Sequence, residues 1–413
     1  MLVYFSILHV LTMIDSSIET IKKKLKNKLQ PVVLFGAGQI GEMCYFALTQ
    51  HNIKVDFFCD SSKSKQGKMF CGKKIISPNE LYNQDRDIMI FISNNYYPLL
   101  KKDLSKKDFK NIYHCSDFLK KTDFSNSKLM LQPLKIERWI EFYNSMIMKE
   151  EFNEKGMLHI KSLDVQVTEK CSLKCKDCSN LMQYYSRVKD SDYNVIVKSI
   201  SRFMSCIDDI YEFRVLGGDP FMNKEMHKTI NFLSSYEKVK KIAIYTNARF
   251  LPKGDNFECL KNPKVILDIS DYVLLDKSKR KADELIEKLE KNNVKYTVAR
   301  MDTWTDSGRV LPFQKRTKEE LKRVFNYCCN SDILSLLHGK LYRCPFSANG
   351  TNLTLIPEEE SDVVDLYDES IPLEFLKTKI KNLAFDKEYL MACNYCNGRD
   401  YTTKEIKAAV QAN

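Results

Sequence analysis

No apolar run in these 413 residues is long enough to cross a bilayer, so a helical membrane protein is not expected. The longest, MLVYFSILHVLTM at the start, lacks both the basic leader and the small-residue cleavage site of a secretory signal. Translation is expected to begin at Met13, ahead of an amphipathic helix in IDSSIETIKKKLKNKLQ, in a soluble cytoplasmic protein. Repeats of fixed period are absent, which excludes a solenoid, and there is no low-complexity tract. Despite a net charge of +11, arginine and aromatics form no dense tract and lysine is spread along the whole chain. That speaks against nucleic-acid binding and for a solvated lysine-rich exterior with local pockets for phosphates or carboxylates. Histidine is scarce, at six residues. None stands in VTEKCSLKCKDCSN (167–180), where cysteine is densest.

Cysteine itself is abundant, with fourteen residues. A reducing compartment gives disulfides little persistence, so many of these thiols are expected to be ligands. Cys171, Cys175 and Cys178 follow a strand-like run at C-x3-C-x2-C spacing. No fourth Cys or His is near, His159 lying twelve residues upstream, whereas structural zinc takes four closed donors. Three thiolates instead hold three irons of a [4Fe-4S] cube and leave the fourth iron open. An open iron can chelate the amino and carboxylate groups of S-adenosylmethionine and pass one electron to its sulfonium, releasing a 5′-deoxyadenosyl radical.

The chain reads as α/β throughout. Residues 1–29 form an N-terminal helical segment, 30–120 a Rossmann-like parallel sheet, and 121–158 a polar linker and helix. Residues 159–315 form a series of β-α units, a parallel sheet or partial (β/α)6 barrel, and 316–413 a small cysteine-bearing C-terminal domain. In the first sheet PVVLFG, VDFFCD, IMIFIS and NIYHC are strand runs, about four in all. Gly36, Gly38 and Gly41 open the helix after the first, and Asp60 ends the second. Glycines there admit a phosphate to a helix N-terminus, and the acid can accept from a ribose diol. One mononucleotide half makes NAD a weak expectation. In the barrel region LDVQVT, YEFRVLG, KIAIYTN, KVILDIS and KYTVARM are the strand runs, with chemistry expected at their C-terminal ends.

The cysteine trio resembles the signature of the radical S-adenosylmethionine superfamily, and the resemblance covers about residues 160–310. Gly217-Gly218-Asp219-Pro220 resembles the family's GGE(P) segment, which implies that the glycines admit the methionyl moiety and the acid faces its ammonium group. IYTNARF resembles the TNG segment, implying a cofactor contact at Asn247, with Ala248 where glycine is usual. LDISDY resembles the strand whose polar side chain meets the ribose, here Ser270. Two positions depart from the pattern: Asp177 stands where an aromatic is usual, and Asp219 is one methylene shorter than glutamate.

Cys329, Gly339 and Cys344 form C-x9-G-x4-C, followed by Cys393 and Cys396 as C-x2-C. This resembles the SPASM and twitch extensions of radical S-adenosylmethionine enzymes and implies one auxiliary [4Fe-4S] cluster at Cys329, Cys344, Cys393 and Cys396. Cys328 is an alternative to Cys329, and structural zinc an alternative to the cluster. Cys44, Cys59, Cys71, Cys115, Cys206 and Cys259 read as core residues. LFGAGQIGEM, FFCDSSKSKQGK and GKMFCGKKIISPNEL resemble the small Rossmann-like domain attached to surface-polysaccharide sugar-modifying enzymes, implying a nucleotide, a nucleotide-sugar or a docking role. Trp304, Asp306, Tyr184, Tyr185 and Arg187 are candidate sugar or phosphate contacts.

The expected activity is dehydrogenation or epimerisation of a sugar or nucleotide-activated sugar, with a flavodoxin or ferredoxin as electron donor. A peptide substrate, and a non-catalytic iron-sulfur or nucleotide-binding regulator, are the alternatives.

Overall fold

The structure is a computed structural model describing residues 16–26, 30–94, 96–129, 131–277, 280–400 and 402–412. The expected start at Met13 lies outside the described residues. The chain divides into two compact units, Met1–Ile147 and Met148–Asn413.

In the first unit a six-stranded sheet runs in the order β3-β4-β2-β1-β5-β6, with β1 Val32–Phe35, β2 Phe57–Cys59, β3 Met69–Phe70, β4 Lys73–Ile76, β5 Met89–Ile92 and β6 Ile112–His114. All neighbours are parallel except β3 and β4. That hairpin turns through Cys71 and Gly72, both at positive φ, and carries the strand count beyond the expected four. Helices α1 Ile18–Lys26, α2 Gln39–Gln50, α3 Pro78–Tyr82, α4 Tyr97–Ser105 and α5 Ser116–Lys120 join these strands. α3 starts from a capping box in which Ser77 and Glu80 each satisfy the other's backbone N–H. The chain adds strands outward on one side of β1 and then crosses to β5 on the other. That switch point leaves a crevice at the carboxyl ends of β1 and β5. Helix α6, Pro133–Glu154, begins in this unit and ends in the second.

The second unit is built on one eight-stranded sheet in the order β11-β10-β9-β8-β7-β13-β14-β15. Its strands are β7 His159–Thr168, β8 Asp209–Gly217, β9 Ile242–Thr246, β10 Val265–Tyr272, β11 Tyr296–Met301, β13 Ile333–Leu337, β14 Lys340–Tyr342 and β15 Val363–Asp365. A separate pair joins β12 Thr303–Thr305 to β16 Glu405–Lys407. The six strands from β11 to β13 are parallel, and β14 and β15 are antiparallel additions. β13 turns into β14 through His338 and Gly339, both at positive φ, a two-residue hairpin whose twist matches its strands. The sheet therefore runs through the expected division at 315/316, because β13 pairs with β7.

Register decides what each face carries. Asp164 lies beside Arg214 and Ser335, and Asp268 beside Tyr245 and Thr297. With Gln166 they form a polar face. The other face presents Leu163, Val165, Phe213, Val215, Ile244, Leu267, Leu334 and Leu336. These pack against α7 Tyr193–Cys206, α8 Met226–Ser234, α10 Ala282–Lys291 and α13 Leu373–Lys381, while α9 Asp255–Glu258, α11 Lys318–Asn326 and α12 Pro345–Asn352 complete the unit. Among the described residues no helix is long and apolar enough to cross a membrane.

Candidate functional site

The loop that carries Cys171, Cys175 and Cys178 leaves the C-terminal end of β7, and its root is pinned by β8. Gly218 N–H donates to Thr168 O (2.9 Å) and Asp219 N–H to Lys170 O (2.8 Å). A Cβ on Gly217 would stand 2.1 Å from Thr168 O, and one on Gly218 2.1 Å from Lys170 O. Both glycines therefore make room for the backbone entering the cysteine loop. This packing is a requirement for glycine beside the expected role of admitting a methionyl group.

Asp219 is likewise turned inward. It is fully buried, and its carboxylate accepts from Thr246 Oγ1 (2.8 Å), Asn247 N–H (3.0 Å) and Phe221 N–H (3.1 Å). Burial pushes its pKa up to about 6 against those hydrogen bonds. The shorter acid thus braces the end of β9, where the family pattern would have it face an ammonium group. Ala248, where glycine is usual, keeps a left-handed φ of 55°.

The three thiols gather in one apolar pocket with Leu173, Ala409, Tyr272, Leu275 and Trp304. Burial raises all three thiol pKa values, that of Cys175 to about 12, and Cys171 and Cys175 are raised further by their neighbouring thiols. Asn247 Nδ2 donates to Cys171 Sγ (3.6 Å) and Gln411 Nε2 to Cys175 Sγ (3.4 Å). Asn247, expected to contact cofactor, thus lies against the Cys171 sulfur. Ser270 is hydrogen-bonded to Tyr272, whose hydroxyl pKa burial and the three cysteines raise. Trp304 meets Tyr272 edge to face at 5.2 Å. Tyr272 and Gln411 were not singled out from the sequence. Asp177 pairs with Arg309, and a Cβ on the adjacent Gly308 would stand 2.0 Å from Asp177 O.

Of the other candidate contacts, Tyr185 is buried between Asn349 (2.8 Å) and Asn352 (2.9 Å), whereas Tyr184 and Arg187 are exposed. Asp306 joins the site's outer loop through backbone bonds to Lys404 and Asn397.

The polar sheet face holds its own network. Arg214 grips Asp164 with two bonds, 2.6 and 3.0 Å, and lies over the Tyr245 ring at 5.3 Å. Gln166 accepts from Asn349 (3.0 Å). Its Nε2 and the Ser335 hydroxyl are buried without a partner. Orphaned buried donors of this kind call for a ligand or water.

The second cysteine set corrects one expectation. Cys328, Cys344, Cys393 and Cys396 line one cavity together with Phe325, Phe346, Leu390 and Arg399. Cys329, the expected ligand, is exposed and its Sγ turns to Asn330. Helix α11 ends at Asn326, and the following turn directs Cys328 rather than its neighbour inward. Burial and then neighbouring thiols raise Cys393, and burial raises Cys344 to about 12. Arg316 donates to the carbonyls of Cys393 and Cys396. Arg399 lowers the pKa of both Cys178 and Cys396, so it reaches both sets. Among the described residues no three His, Cys, Asp or Glu side chains stand close enough to share a single metal ion. A four-iron cube takes one thiolate per corner and so holds its donors further apart than one ion does. Clustered, partly to fully buried thiols that receive N–H groups, as Cys171 does from Asn247 and Cys175 from Gln411, fit such a cube.

In the first unit Asp60 has partners within the chain. Its carboxylate accepts from Ala37 N–H (2.9 Å), Ser62 N–H (2.8 Å) and Lys65 Nζ (3.1 Å), so it braces the glycine turn. Cβ atoms on Gly36 and Gly41 would meet backbone at 2.9 and 2.0 Å, whereas Gly38 is exposed with open space before it.

A family model described as C2185-like, N-terminal, matches residues 28–111. The GTP 3′,8-cyclase of Hydrogenovibrio crunogenus is 29% identical over 111 residues, 26% of this chain and 32% of that protein. The GTP 3′,8-cyclase of Clostridium acetobutylicum is 32% identical over 104 residues, 24% and 31% of the two chains. The chain thus spans about a third of the length of these curated relatives. Among solved structures, BtrN in complex with AdoMet and 2-DOIA overlaps 58% of this chain and 93% of its own at 15% identity and a TM-score of 0.36. The anSMEcpe protein with bound AdoMet overlaps 58% and 89% at 13% identity and a TM-score of 0.39.

Proposed function

We propose that this chain is a radical S-adenosylmethionine enzyme that removes two electrons from a sugar-type small molecule. The observation that carries the reading is the clustering of three thiols, Cys175 buried and Cys171 and Cys178 partly buried, in the loop that leaves the C-terminal end of β7, a strand whose polar face carries Asp164 and Gln166. Cys171, Cys175 and Cys178 would hold three irons of a [4Fe-4S] cube, which would supply one-electron reduction of S-adenosylmethionine.

The chain's own residues do the rest. Gly217 and Gly218 hold the loop on the sheet, Asn247 and Gln411 direct N–H groups at sulfur, and Tyr272 and Trp304 keep water from the thiols. Asp164, Gln166, Arg214 and Ser335 offer donors and acceptors suited to a polyhydroxylated substrate. Cys328, Cys344, Cys393 and Cys396 would hold a second cube with no open corner, which suits it to receive an electron from the substrate. The first unit would bind a phosphorylated nucleotide-type group where Gly38 leaves the turn open beside Lys65.

The test is anaerobic reconstitution followed by iron analysis and product assay. Changing Cys171, Cys175 and Cys178 together to alanine is expected to halve the iron and abolish 5′-deoxyadenosine. Changing Cys393 and Cys396 to alanine is expected to spare 5′-deoxyadenosine but stop the carbonyl product. Activity in the triple variant sinks the reading, and an epimer with no carbonyl sinks the oxidation alone.

A further inference from the structure

One stretch near the end of the chain touches the thiol loop more closely than its composition suggests. β16 pairs with β12, placing Ile406 beside Trp304, and Ala408 N–H donates to Asp302 O (2.8 Å). The chain then crosses the cysteine loop. Lys176 N–H donates to Val410 O (2.7 Å), Ala412 N–H donates to Lys174 O (2.6 Å), and Cys175 and Gln411 form an antiparallel bridge. Two backbone bonds therefore bracket Cys175.

Ala409, at a left-handed φ of 54° and 1% exposed, packs with Leu173 and Cys175. A left-handed φ is costly for any residue with a Cβ, so the packing around Ala409 holds the backbone in this turn.

The Gln411 amide is fixed at both ends. Its Oε1 accepts from Lys174 N–H (2.9 Å), which sets which end of the amide faces the loop. Its Nε2 therefore donates to Cys175 Sγ (3.4 Å) and Ala409 O (2.7 Å). An N–H aimed at a metal-bound thiolate stabilises the more negative state of the cluster. A side chain needed only for packing would require neither the donor nor its orientation.

We infer that Glu405–Ala412 is a strap closed over the three-cysteine loop, and that Gln411 is a positioning residue that raises the reduction potential of the iron-sulfur group on Cys171, Cys175 and Cys178. The second half of this inference rests on the function proposed above; the strap itself does not.

The experiment has two arms. In the reconstituted full chain, an EPR-monitored redox titration reads the potential of the trio's cluster. Gln411→Leu keeps the volume but loses the donor, and is expected to make reduction about tenfold less favourable, 59 mV for a one-electron couple. Gln411→Glu, which keeps the acceptor for Lys174 and loses the donor, is expected to shift it at least as far. Unchanged potentials in both variants at full iron content overturn the tuning role.

In the iron-free full chain, mass spectrometry follows iodoacetamide labelling of Cys175. Ala412→Pro, which removes one bracketing N–H, is expected to label severalfold faster at Cys175, with Cys44 of the first unit as the unchanged control. An unchanged Cys175 rate overturns the strap. If no cluster signal depends on Cys171, Cys175 and Cys178, the proposed function falls, and the labelling arm still decides the strap.

Discussion

Replacing Gly218 by alanine should unseat the cysteine loop. The added Cβ would stand 2.1 Å from Lys170 O, 2.4 Å from Lys170 C and 2.8 Å from Cys171 N, where ordinary contacts begin at 3.4 Å. All three atoms are backbone, so no side chain can swing away, and the strand end and loop root must separate by more than an ångström. That movement breaks the bonds from Gly218 to Thr168 and from Asp219 to Lys170, worth about 1 kcal/mol each. Overpacking adds about 1–3 kcal/mol. The total, roughly 3–5 kcal/mol, corresponds to about a 10 °C fall in Tm for a unit of this size. Calorimetry of the full chain with iron analysis checks it, using Gly38→Ala as the control. Gly38 has an extended φ of −133° and nothing within 4 Å of its Cβ position, so that variant should unfold at the original temperature. A Gly218→Ala protein that unfolds within about 2 °C of the original and takes up the same iron would refute the reasoning.

Cys328→Ser should remove about four irons per chain from the reconstituted protein, whereas Cys329→Ser should leave the iron content unchanged; equal losses would mean that both serve. Lys161 is buried beside Lys149, Arg343 and Asp332, and burial pushes its pKa down to about 8. Between that value and 10.5 the unfolded chain keeps a proton that the folded chain has shed. Stability should therefore rise with pH through this window, by up to about 3 kcal/mol. Lys161→Met should flatten that rise in urea unfolding at pH 7 to 10, and an unflattened curve contradicts the assignment. Replacing Asp164 by leucine together with Arg214 by methionine should leave Tm unchanged or raised while substrate turnover is lost; a large drop in Tm would make the pair structural.

Much of the architecture could be read from residue pattern. PVVLFG, IMIFIS, YEFRVLG and KIAIYTN became β1, β5, β8 and β9 because short apolar runs between turn signals have few other ways to be buried. The alternation in HIKSLDVQVT was also there to read, with Ser162, Asp164 and Gln166 on one face and Leu163, Val165 and Val167 on the other. Orientation was not legible. Asp60 and Asp219 sit where the pattern put an acid, yet both carboxylates turn to backbone N–H groups supplied by residues distant in sequence. Spacing alone does not choose between adjacent Cys328 and Cys329, because the choice depends on how the turn after α11 closes. Gln411 carries no periodic signal, since its contact with Cys175 arises from a pairing 236 residues apart.

The inner face of the second sheet separates what stabilises this unit from what it is built to do. Parallel strands covered on both sides are usually apolar on both. Here the outer face follows that rule and meets four helices, while the inner face buries Asp164 against Arg214, with Gln166 and Ser335 nearby. Desolvating such an ion pair costs several kcal/mol per charge, and well-packed apolar replacements of buried pairs are often more stable by about 1–4 kcal/mol. Burial raises the pKa of Asp164 against the pull of Arg214, while Asp164 holds Arg214 above its ordinary value in spite of its own burial. The orphaned Gln166 Nε2 and Ser335 Oγ add to that cost without adding strength. Stability alone therefore favours an apolar inner face. A polar one, on strands that include the one whose C-terminal end leads into the cysteine loop, is the arrangement expected if that face must receive a hydroxyl-bearing molecule.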